Sequence, residues 1–334
     1  MNNKFKVGLI GCGVIANTHL SYLRECELVD IVALCDTKLD KAAALKEKYE
    51  LSTSLYEDYK EMLNSGTIDS VHITSPHYLH AEMAIEALRK NINVVLEKPI
   101  CITEEEIEKL LIAEKESKAR ITVCFQNRMN LSTVLGLKEA HNDGGALSAY
   151  GSLFWFRSNE YYTESDWRGK WATEGGGTLI NQAIHTLDLL CQFLGKPTAV
   201  KATVQNLDKV GVIEVEDTAS GIIYFENGKC ASFHATTSFH GKGMTSVVVE
   251  TKNKRIEINS PNRLYVSGEK IEFNNEDIKY VGKPCYGNGH KTLINNFYSA
   301  LNDGGDMPVT LTSATYALRI LLAAYKSNGE LIKI

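Results

Sequence analysis

The sequence lacks the features that mark a disulfide-rich, secreted or membrane-spanning protein. No C-x-x-C pair or histidine-rich tract occurs, so neither a zinc site nor a disulfide framework is expected. No run of about 18 uncharged apolar residues is present to span a bilayer. Only Met-Asn-Asn-Lys precedes the first β-rich run, which predicts no secretory signal and a cytoplasmic protein. The eight cysteines are interpreted as small, buried apolar residues in a reducing compartment: Cys12, Cys26, Cys35, Cys101, Cys124, Cys191, Cys230 and Cys285.

A strong excess of charge is also missing. The chain has 36 Lys and Arg against 41 Asp and Glu, which gives a formal net charge of −5. This mildly acidic balance argues against a nucleic-acid partner, whose phosphates a binding protein must neutralise. Hydrophobic residues at 44% and charged residues at 23% are ordinary for a globular protein and exclude disorder. A length of 334 residues favours two domains or one large α/β unit, and no internal repeat is seen.

Residues 1–125 alternate short β-rich runs with helical patterns, which predicts a Rossmann-type, doubly wound parallel sheet. The β-rich runs are almost continuously apolar, as in strands that are buried on both faces. Strands are expected near 5–10, 29–35, 70–74, 92–96 and 120–125. Helices are expected near 14–25, 38–49, 55–64, 78–90 and 103–118.

Residues 126–334 change to long runs of alternating character, which predicts an α/β domain with a mostly antiparallel sheet. Strands are expected near 147–157, 198–207, 217–226, 229–238, 245–251, 254–258 and 262–273. Helices are expected near 131–142, 178–194, 290–302 and 311–326. We therefore expect a nucleotide-binding domain over 1–125 and a substrate-binding and oligomerisation domain over 126–334.

A dinucleotide-binding fingerprint follows the first predicted strand. Gly11-Cys12-Gly13-Val14-Ile15-Ala16 matches G-x-G-x-x-G/A at a strand-turn-helix junction, where glycines admit a pyrophosphate to the helix N-terminus. Asp36 ends the second strand, where a carboxylate accepts the ribose hydroxyls of NAD and repels the 2′-phosphate of NADP. NAD is therefore favoured, although Thr37 and Lys38 leave NADP open.

Other polar residues follow the predicted strands at the same sheet edge, where open α/β sheets bind ligands. Thr74, Ser75 and Pro76 come after the strand at 70–74, and Glu97 and Lys98 after the strand at 92–96. Lys98 lies where the nicotinamide would project, so we interpret it as functional.

Three further segments are candidates for the functional site, and for two of them a structural alternative is open. His77 and His80 either contact the cofactor or simply pack at the start of a helix. Trp167 and Arg168 (near Trp171) either contact a ligand, for which the planar guanidinium is suited, or anchor a surface loop. Gln126, with Asn127 and Arg128, follows the last Rossmann strand and is expected at the rim of the site. Tyr161, Tyr162 and His240 are weaker candidates for substrate contact.

The predicted helix at 178–194 carries a polar face. Asn181, His185 and Asp188 are spaced i, i+4 and i, i+3, so they lie along one side among apolar residues. A single histidine on such a face is usually a core residue, but three stacked polar groups favour a site. Asp188 either orients His185 or is structural. The Gly175–Gly177 run is not followed by Gly-Lys-Ser/Thr, so ATP binding is not expected.

Together these motifs resemble the glucose-fructose oxidoreductase / inositol dehydrogenase / MocA (Gfo/Idh/MocA) family of nicotinamide-dependent oxidoreductases. The resemblance rests on the glycine fingerprint, Thr74-Ser75-Pro76 with His80, Glu97-Lys98-Pro99, the segment Glu174–Asp188, and Gly289-His290. It implies a Rossmann domain, a second α/β domain whose open sheet serves oligomerisation, and sugar, inositol or polyol substrates. It also implies a cis bond before Pro99 and a Trp167-Arg168 segment over the cofactor. Many members carry Asp where this chain has Asn181.

The predicted function is reversible hydride transfer between a nicotinamide and a secondary alcohol of a sugar-like substrate. His185 is expected to take the hydroxyl proton, Lys98 to hydrogen-bond the same oxygen, and Asn181 to orient a neighbouring hydroxyl. Because Asn181 carries no charge, Lys98 remains an alternative proton acceptor. A glycosidase or epimerase with tightly bound NAD, and a non-catalytic nucleotide sensor, are the rival functions. No metal is expected. The protein is expected to form a homo-oligomer, either a dimer or a tetramer.

Overall fold

A computed structural model describes residues 4–259, 262–273, 281 and 287–334. The chain divides into two compact units. The first comprises Met1–Cys101, Glu105–Gln126 and Lys279–Ala314, and the second comprises Ile102–Glu104, Asn127–Ile278 and Thr315–Ile334. This division differs from the expected division at residue 125, because Lys279–Ala314, which follows most of the second unit in sequence, belongs to the first unit.

The first unit is built on a six-stranded sheet in which every pairing is parallel. The strand order is β3-β2-β1-β4-β5-β6. The strands are β1 (Phe5–Ile10), β2 (Val29–Cys35), β3 (Ser54–Tyr56), β4 (Ser70–Ile73), β5 (Asn93–Leu96) and β6 (Ile121–Val123). The helices are α1 (Val14–Glu25), α2 (Leu39–Lys48), α3 (Tyr59–Asn64), α4 (His80–Arg89) and α5 (Glu104–Glu116). The first residue of α5 groups with the second unit and the rest of the helix with the first.

The strand order brings three strand ends together in this unit. β1 lies between β2 and β4, and Ile10 pairs with Cys35 on one side and with Ile73 on the other. Gly11, Asp36 and Thr74 therefore follow neighbouring strands at the same edge. In a doubly wound sheet this edge, where the strand order reverses, is the usual ligand-binding position.

The edge strand β3 and the start of α3 differ from the expectation of one helix over 55–64. α3 begins only at Tyr59, because the side chain of Asp58 accepts the backbone N–H of Lys60 at 2.7 Å and caps the helix. The residues before this cap are then free to pair, and Ser54–Tyr56 adds to β2 as a short strand.

The second unit contains a nine-stranded sheet in the order β14-β13-β12-β11-β7-β10-β9-β8-β15. β7 and β10 pair in parallel, and the other pairings are antiparallel. The strands are β7 (Ser148–Phe154), β8 (Pro197–Gln205), β9 (Thr218–Phe225), β10 (Cys230–Thr236), β11 (Met244–Glu250), β12 (Arg255–Asn259), β13 (Arg263–Val266), β14 (Glu269–Ile271) and β15 (Leu331–Lys333). The expected strand over 262–273 is divided in two, since Ser267 and Gly268 both have positive φ and form a turn.

Helices α6 (Leu131–Asn142) and α8 (Ile184–Leu194) pack against strands of the second sheet. The unit also contains the short α7 (Glu160–Thr163) and most of α10 (Leu311–Ser327), whose first residues belong to the first unit. The expected helix over 178–194 begins with a π-helical turn at Leu179–Ala183 and continues as α8. α8 lies close to the sheet at Gly151 of β7, where a Cβ would come within 2.7 Å of Thr186.

Helix α9 (Gly289–Asp303) belongs to the first unit and packs against α1. Its side chains Phe297 and Tyr298 are fully buried there. This packing is the physical reason why the C-terminal segment groups with the first unit rather than with residues 126–278.

Six of the expected buried cysteines are buried, whereas Cys230 on β10 is exposed and Cys285 lies outside the described residues. Cys230 is exposed because its side chain lies on the sheet face opposite α8, in register with Ser148 and Tyr224. None of the helices described is both long and apolar enough to cross a membrane.

Candidate active site

The glycine loop after β1 is shaped by close contact with the end of β4. Gly11 has a φ of +91°, and a Cβ on it would lie 2.7 Å from the backbone nitrogen of Ser75. A side chain is therefore excluded by both conformation and space. The hydroxyl of Thr74 donates to the carbonyl oxygen of Gly11 at 2.6 Å and ties the two strand ends together.

The start of α1 leaves room for a ligand. Gly13 is the N-cap of this helix and has no side-chain cap, and no atom of the described residues beyond its chain neighbours and its own helix backbone lies within 4 Å of the position of a Cβ. Val14, the next residue, is 78% exposed although it is apolar. An uncapped N-terminus with open space in front of it suits the pyrophosphate of a dinucleotide. The loop residues Gly11, Cys12 and Gly13, followed by Val14 and Ile15 at the start of α1, thus lie together in an arrangement that fits this cofactor.

Asp36 is positioned by the same loop. Its carboxylate accepts the backbone N–H of Cys12 at 2.8 Å and the backbone N–H of Lys38 at 2.9 Å, one on each oxygen. Since a carboxylate oxygen can accept two hydrogen bonds, both retain capacity for ribose hydroxyls. Burial and the charge of Asp36 raise the pKa of the Cys12 thiol to about 12, so Cys12 stays neutral.

His80 lies in the interior of the first unit, as expected for the alternative in which it packs at the start of a helix. It is buried, its Nδ1 lies 2.6 Å from the carbonyl oxygen of Pro99, and its Nε2 lies 2.8 Å from that of Ser75. Burial lowers the pKa of His80. The ring therefore joins the segments that follow β4 and β5. His77 is buried too, and a cofactor contact for His80 stays a prediction.

Glu97 is the centre of a buried hydrogen-bond network that the sequence did not reveal. Its Oε1 lies 3.0 Å from Nε2 of His19 and 3.3 Å from Nε2 of His290, and its Oε2 accepts the backbone N–H of Lys98 at 3.1 Å. All three side chains are buried. Burial alone would raise the pKa of Glu97, but the hydrogen bonds from the two histidines hold it well below its usual range.

The network continues away from Glu97. Nδ1 of His19 lies 2.7 Å from Nδ1 of His72, whose Nε2 lies 2.9 Å from the hydroxyl of Tyr298, which lies 2.9 Å from the hydroxyl of Ser70. With Glu97 ionised, one set of donors satisfies every pair: Ser70 donates to Tyr298, Tyr298 to His72, His72 to His19, and His19 to Glu97. Burial and the neighbouring His19 hold the pKa of His72 well below its usual range, which keeps its ring neutral.

This network has two consequences for the predicted site. The carboxylate of Glu97 is directed into the interior of the first unit, so its expected cofactor contact has no support in the structure. The backbone of Lys98 is held through the same carboxylate. Lys98 itself is half-buried and precedes a cis peptide bond to Pro99, as the family resemblance implied.

Gln126 has a buried acceptor that suits a ligand. The side chain is 2% exposed, and its Oε1 has no hydrogen-bond partner among the residues that the structure describes. A buried polar atom without a partner is rare in folded proteins. Ser75 and Pro76, also in the first unit, are half-buried.

In the second unit, Asn181 and His185 lie where the π-helical turn leads into α8, and both are half-buried. The amide nitrogen of Asn181 donates to Glu174 at 2.5 Å and to the hydroxyl of Tyr161 at 3.3 Å. π-helical turns are frequent at functional sites because they change the direction of successive side chains. The sequence analysis placed Glu174 at the start of the family segment but predicted no contact with Asn181, because a spacing of seven residues outside a continuous helix gives no periodic signal for it.

Of the two roles considered for Asp188, orienting His185 or a structural role, the contacts of its side chain support the structural role. Its carboxylate accepts from Nε of Arg128 at 2.9 Å and from Nη2 at 2.5 Å, and both side chains are buried. Burial raises the pKa of Asp188 against the opposing effect of Arg128. Arg128 is therefore an interior residue and not part of the expected rim.

The start of the π-helical turn, next to the triple-glycine segment, is held by Glu216. A Cβ on Gly177 would overlap the carbonyl oxygen of Glu216. The buried carboxylate of Glu216 accepts the backbone N–H groups of Gly177 and Leu179, both at 2.9 Å. Burial raises the pKa of Glu216 to about 7. Glu216 was not recognised in the sequence, because it lies 39 residues from the turn that it supports.

Trp167, Arg168 and Tyr161 lie together in the second unit. The guanidinium carbon of Arg168 is 4.8 Å from the ring centroid of Trp167 and 4.5 Å from that of Tyr161. The ring centroid of His240, a weaker candidate, lies 4.3 Å from that of Phe156, with the two rings tilted by 40°. Whether any of these residues contacts a cofactor or a substrate stays a prediction.

The parallel sheet of the first unit, its glycine loop and the carboxylate after β2 define an NAD-binding oxidoreductase. Comparison with known proteins agrees with this class. Residues 5–125 match the model of the oxidoreductase family with an NAD-binding Rossmann fold, and residues 141–271 match that of the GFO/IDH/MocA C-terminal domain. The chain belongs to the Gfo/Idh/MocA family, and it is an NAD-dependent dehydrogenase.

Two relatives with assigned names each match about two thirds of the chain. D-glucoside 3-dehydrogenase of Escherichia coli is 28% identical over 254 residues, which cover 68% of each chain. Levoglucosan dehydrogenase of Pseudarthrobacter phenanthrenivorans is 27% identical over 269 residues, covering 71% of this chain and 68% of the relative. The crystal structure of the WlbA dehydrogenase from Bordetella pertussis, in complex with NADH and UDP-GlcNAcA, is 25% identical with a TM-score of 0.87, covering 99% of both chains.

Proposed function

We propose that the chain transfers hydride reversibly between NAD and a secondary alcohol of a sugar, an inositol or a related polyol. The observation that carries this proposal is the family membership together with the names of the relatives, which refer to glucosides, levoglucosan and inositol. All of these are rings with several hydroxyl groups. Bound NAD would supply the hydride acceptor.

The chain's own residues would then handle the proton and the binding. His185 would accept the hydroxyl proton, and Lys98 would donate a hydrogen bond to the same oxygen as negative charge develops on it. Asn181, whose amide nitrogen is held by Glu174, would orient a neighbouring hydroxyl. The glycine loop, Asp36 and Gln126 would hold the cofactor, and Glu97 would act only through the backbone of Lys98.

The test is NADH formation, followed by absorbance, with a panel of polyols, sugars and sugar derivatives. We expect net NADH with at least one of them, and a large loss of kcat in Lys98→Ala and in His185→Ala with NAD affinity retained. General acid-base groups contribute roughly 100- to 10,000-fold to turnover. Near-normal turnover in either variant would remove that residue from the mechanism. Substrate conversion without net NADH would favour the glycosidase or epimerase that retains NAD.

We further propose that the second sheet mediates homo-oligomerisation of a cytoplasmic enzyme. Gly151 contacts α8, so its neighbour Tyr150 lies on the opposite sheet face, in register with Ser232 and Ile222. Tyr150, Ile222 and Tyr224 are each 38–41% exposed. Light scattering on the purified protein tests this: a monomer would contradict it, and Ile222→Lys should weaken the oligomer.

A further inference from the structure

Glu174 is a buried acid beside the predicted catalytic face of the second unit. Its side chain is 1% exposed, and each of its oxygens accepts a hydrogen bond. Oε1 accepts from the amide nitrogen of Asn181 at 2.5 Å, and Oε2 accepts from the backbone N–H of Gly169 at 2.6 Å. A buried carboxylate that is bonded at both oxygens has little freedom to turn. The contact between Glu174 and Asn181 is therefore a fixed feature of this face.

The backbone that carries Glu174 is also held in place. Its N–H donates to the carbonyl oxygen of Lys170 at 2.9 Å. Two residues further along, a Cβ on Gly176 would overlap the hydroxyl of Tyr325, so helix α10 lies directly against the triple-glycine segment. Contacts before and after Glu174 in the chain thus determine where its carboxylate lies.

This contact decides which way the amide of Asn181 points. An amide can be turned by 180° with little change in shape, so its neighbours assign the nitrogen and the oxygen. The hydroxyl of Tyr161, 3.3 Å from the nitrogen, can donate or accept and suits either orientation. An ionised carboxylate can only accept, so Glu174 requires the NH2 group on its own side. The amide oxygen of Asn181 is then directed away from Glu174.

We propose that Glu174 is a positioning residue, which holds the NH2 group of Asn181 so that the amide oxygen acts as a hydrogen-bond acceptor towards the substrate. The inference rests on the proposed function, in which Asn181 orients a group next to the reacting carbon, and it adds the polarity of that contact. The substrate group at this position must be a donor, such as a hydroxyl or an amide N–H. A methyl ether or a fluorine there would leave the contact unmade.

Three variants test this polarity. Glu174→Gln presents both an oxygen and an NH2 group to Asn181, so the orientation of the amide is no longer fixed. Asn181→Asp brings two carboxylates into contact. The double variant restores one donor and one acceptor across the contact, and it keeps an oxygen at position 181 for the substrate. Glu226→Gln, which breaks the exposed ion pair with Lys196, is the matched control.

Each protein is measured in two ways. Thermal unfolding without substrate gives Tm, and NADH absorbance at saturating NAD gives kcat and KM for D-glucose, myo-inositol and levoglucosan. We expect Glu174→Gln to lower kcat/KM about 10-fold with the Kd of NAD unchanged. Asn181→Asp should lower Tm and reduce kcat/KM about 100-fold, because the two carboxylates repel each other. The double variant should recover Tm and return kcat/KM to within about 3-fold of wild type. The control should change neither quantity.

Three results would overturn the proposal. A wild-type Tm in Asn181→Asp would show that Glu174 does not need an NH2 group opposite it. A wild-type kcat/KM in Glu174→Gln would show that the carboxylate has no positioning role. A double variant that recovers Tm but not kcat/KM would show that the substrate needs the NH2 group of Asn181 rather than its oxygen.

Failure of the proposed function looks different. None of the three compounds would then yield NADH with the wild-type protein, while Tm would still fall in Asn181→Asp and recover in the double variant. That outcome would support the orientation of Asn181 and reject the dehydrogenase reaction on these compounds.

Discussion

Glu97→Gln tests the buried network most sharply, because it removes one charge while keeping the shape of the side chain. The amide oxygen can still accept from His19 and His290, but the amide NH2 then faces the backbone N–H of Lys98, which Glu97 accepts at 3.1 Å. A buried donor left unsatisfied costs about 1–3 kcal/mol, and two charge-assisted hydrogen bonds become neutral ones. We expect a loss of about 2–4 kcal/mol in the free energy of unfolding.

The assay is thermal unfolding as a function of pH. At about 2–4 °C per kcal/mol, the Tm of the first unit should fall by roughly 5–15 °C at pH 7. The folded pKa of Glu97 is depressed, so its stabilisation is complete above the unfolded value near ~4.3 and is lost as pH falls further. The gap in Tm between wild type and variant should therefore persist down to about pH 5 and close in stronger acid.

Glu105→Gln is the matched control, because Glu105 is exposed and, among the described residues, forms an ion pair only with Lys109 on the surface of α5. We expect little change in its Tm, as for most exposed ion pairs. A Glu97→Gln variant that unfolds with the wild-type Tm, or one whose gap is independent of pH, would refute the reasoning.

Three further predictions concern the loop and the second unit. Gly13→Ala should leave Tm unchanged, because its Cβ would meet no atom within 4 Å, yet it should raise the Kd of NAD; unchanged affinity would contradict a pyrophosphate there. Asp36→Ala should lower the ratio of kcat/KM for NAD over NADP, and a constant ratio would remove Asp36 from cofactor selection. Asp188→Asn should cost about 3–5 kcal/mol, because Arg128 loses its buried counter-charge, and calorimetric unfolding with a wild-type Tm would contradict this.

The sequence predicted elements best where an apolar run is nearly unbroken. β1 and β2 were placed at the observed residues because each is a nearly unbroken apolar run between turn signals. The three-residue strand β3 was merged with α3, since such a short run carries no period of its own. The π-helical turn at Leu179–Ala183 was expected as ordinary helix, because its apolar pattern differs little from that of an α-helix.

The sequence predicted which loops form the candidate site, but not the contacts between residues that are far apart in the sequence. Gly11, Gly13 and Asp36 share a local motif whose geometry follows from one strand-turn-helix unit. His19 on α1 and Glu97 after β5 are 78 residues apart, and only the tertiary fold brings them together. For this reason the family motif identified Glu97 but suggested a cofactor contact, whereas the structure shows a buried carboxylate that holds the backbone of Lys98.

The central claim is hydride transfer from a substrate carbon to NAD, and isotope transfer tests it most directly. The polyol or sugar that gives the highest rate is supplied with deuterium on its ring carbons, and the NADH that is formed is analysed by mass spectrometry. We predict one deuterium per NADH and a slower rate than with the unlabelled compound. NADH without deuterium, or no NADH from any hydroxylated ring offered, would contradict the account.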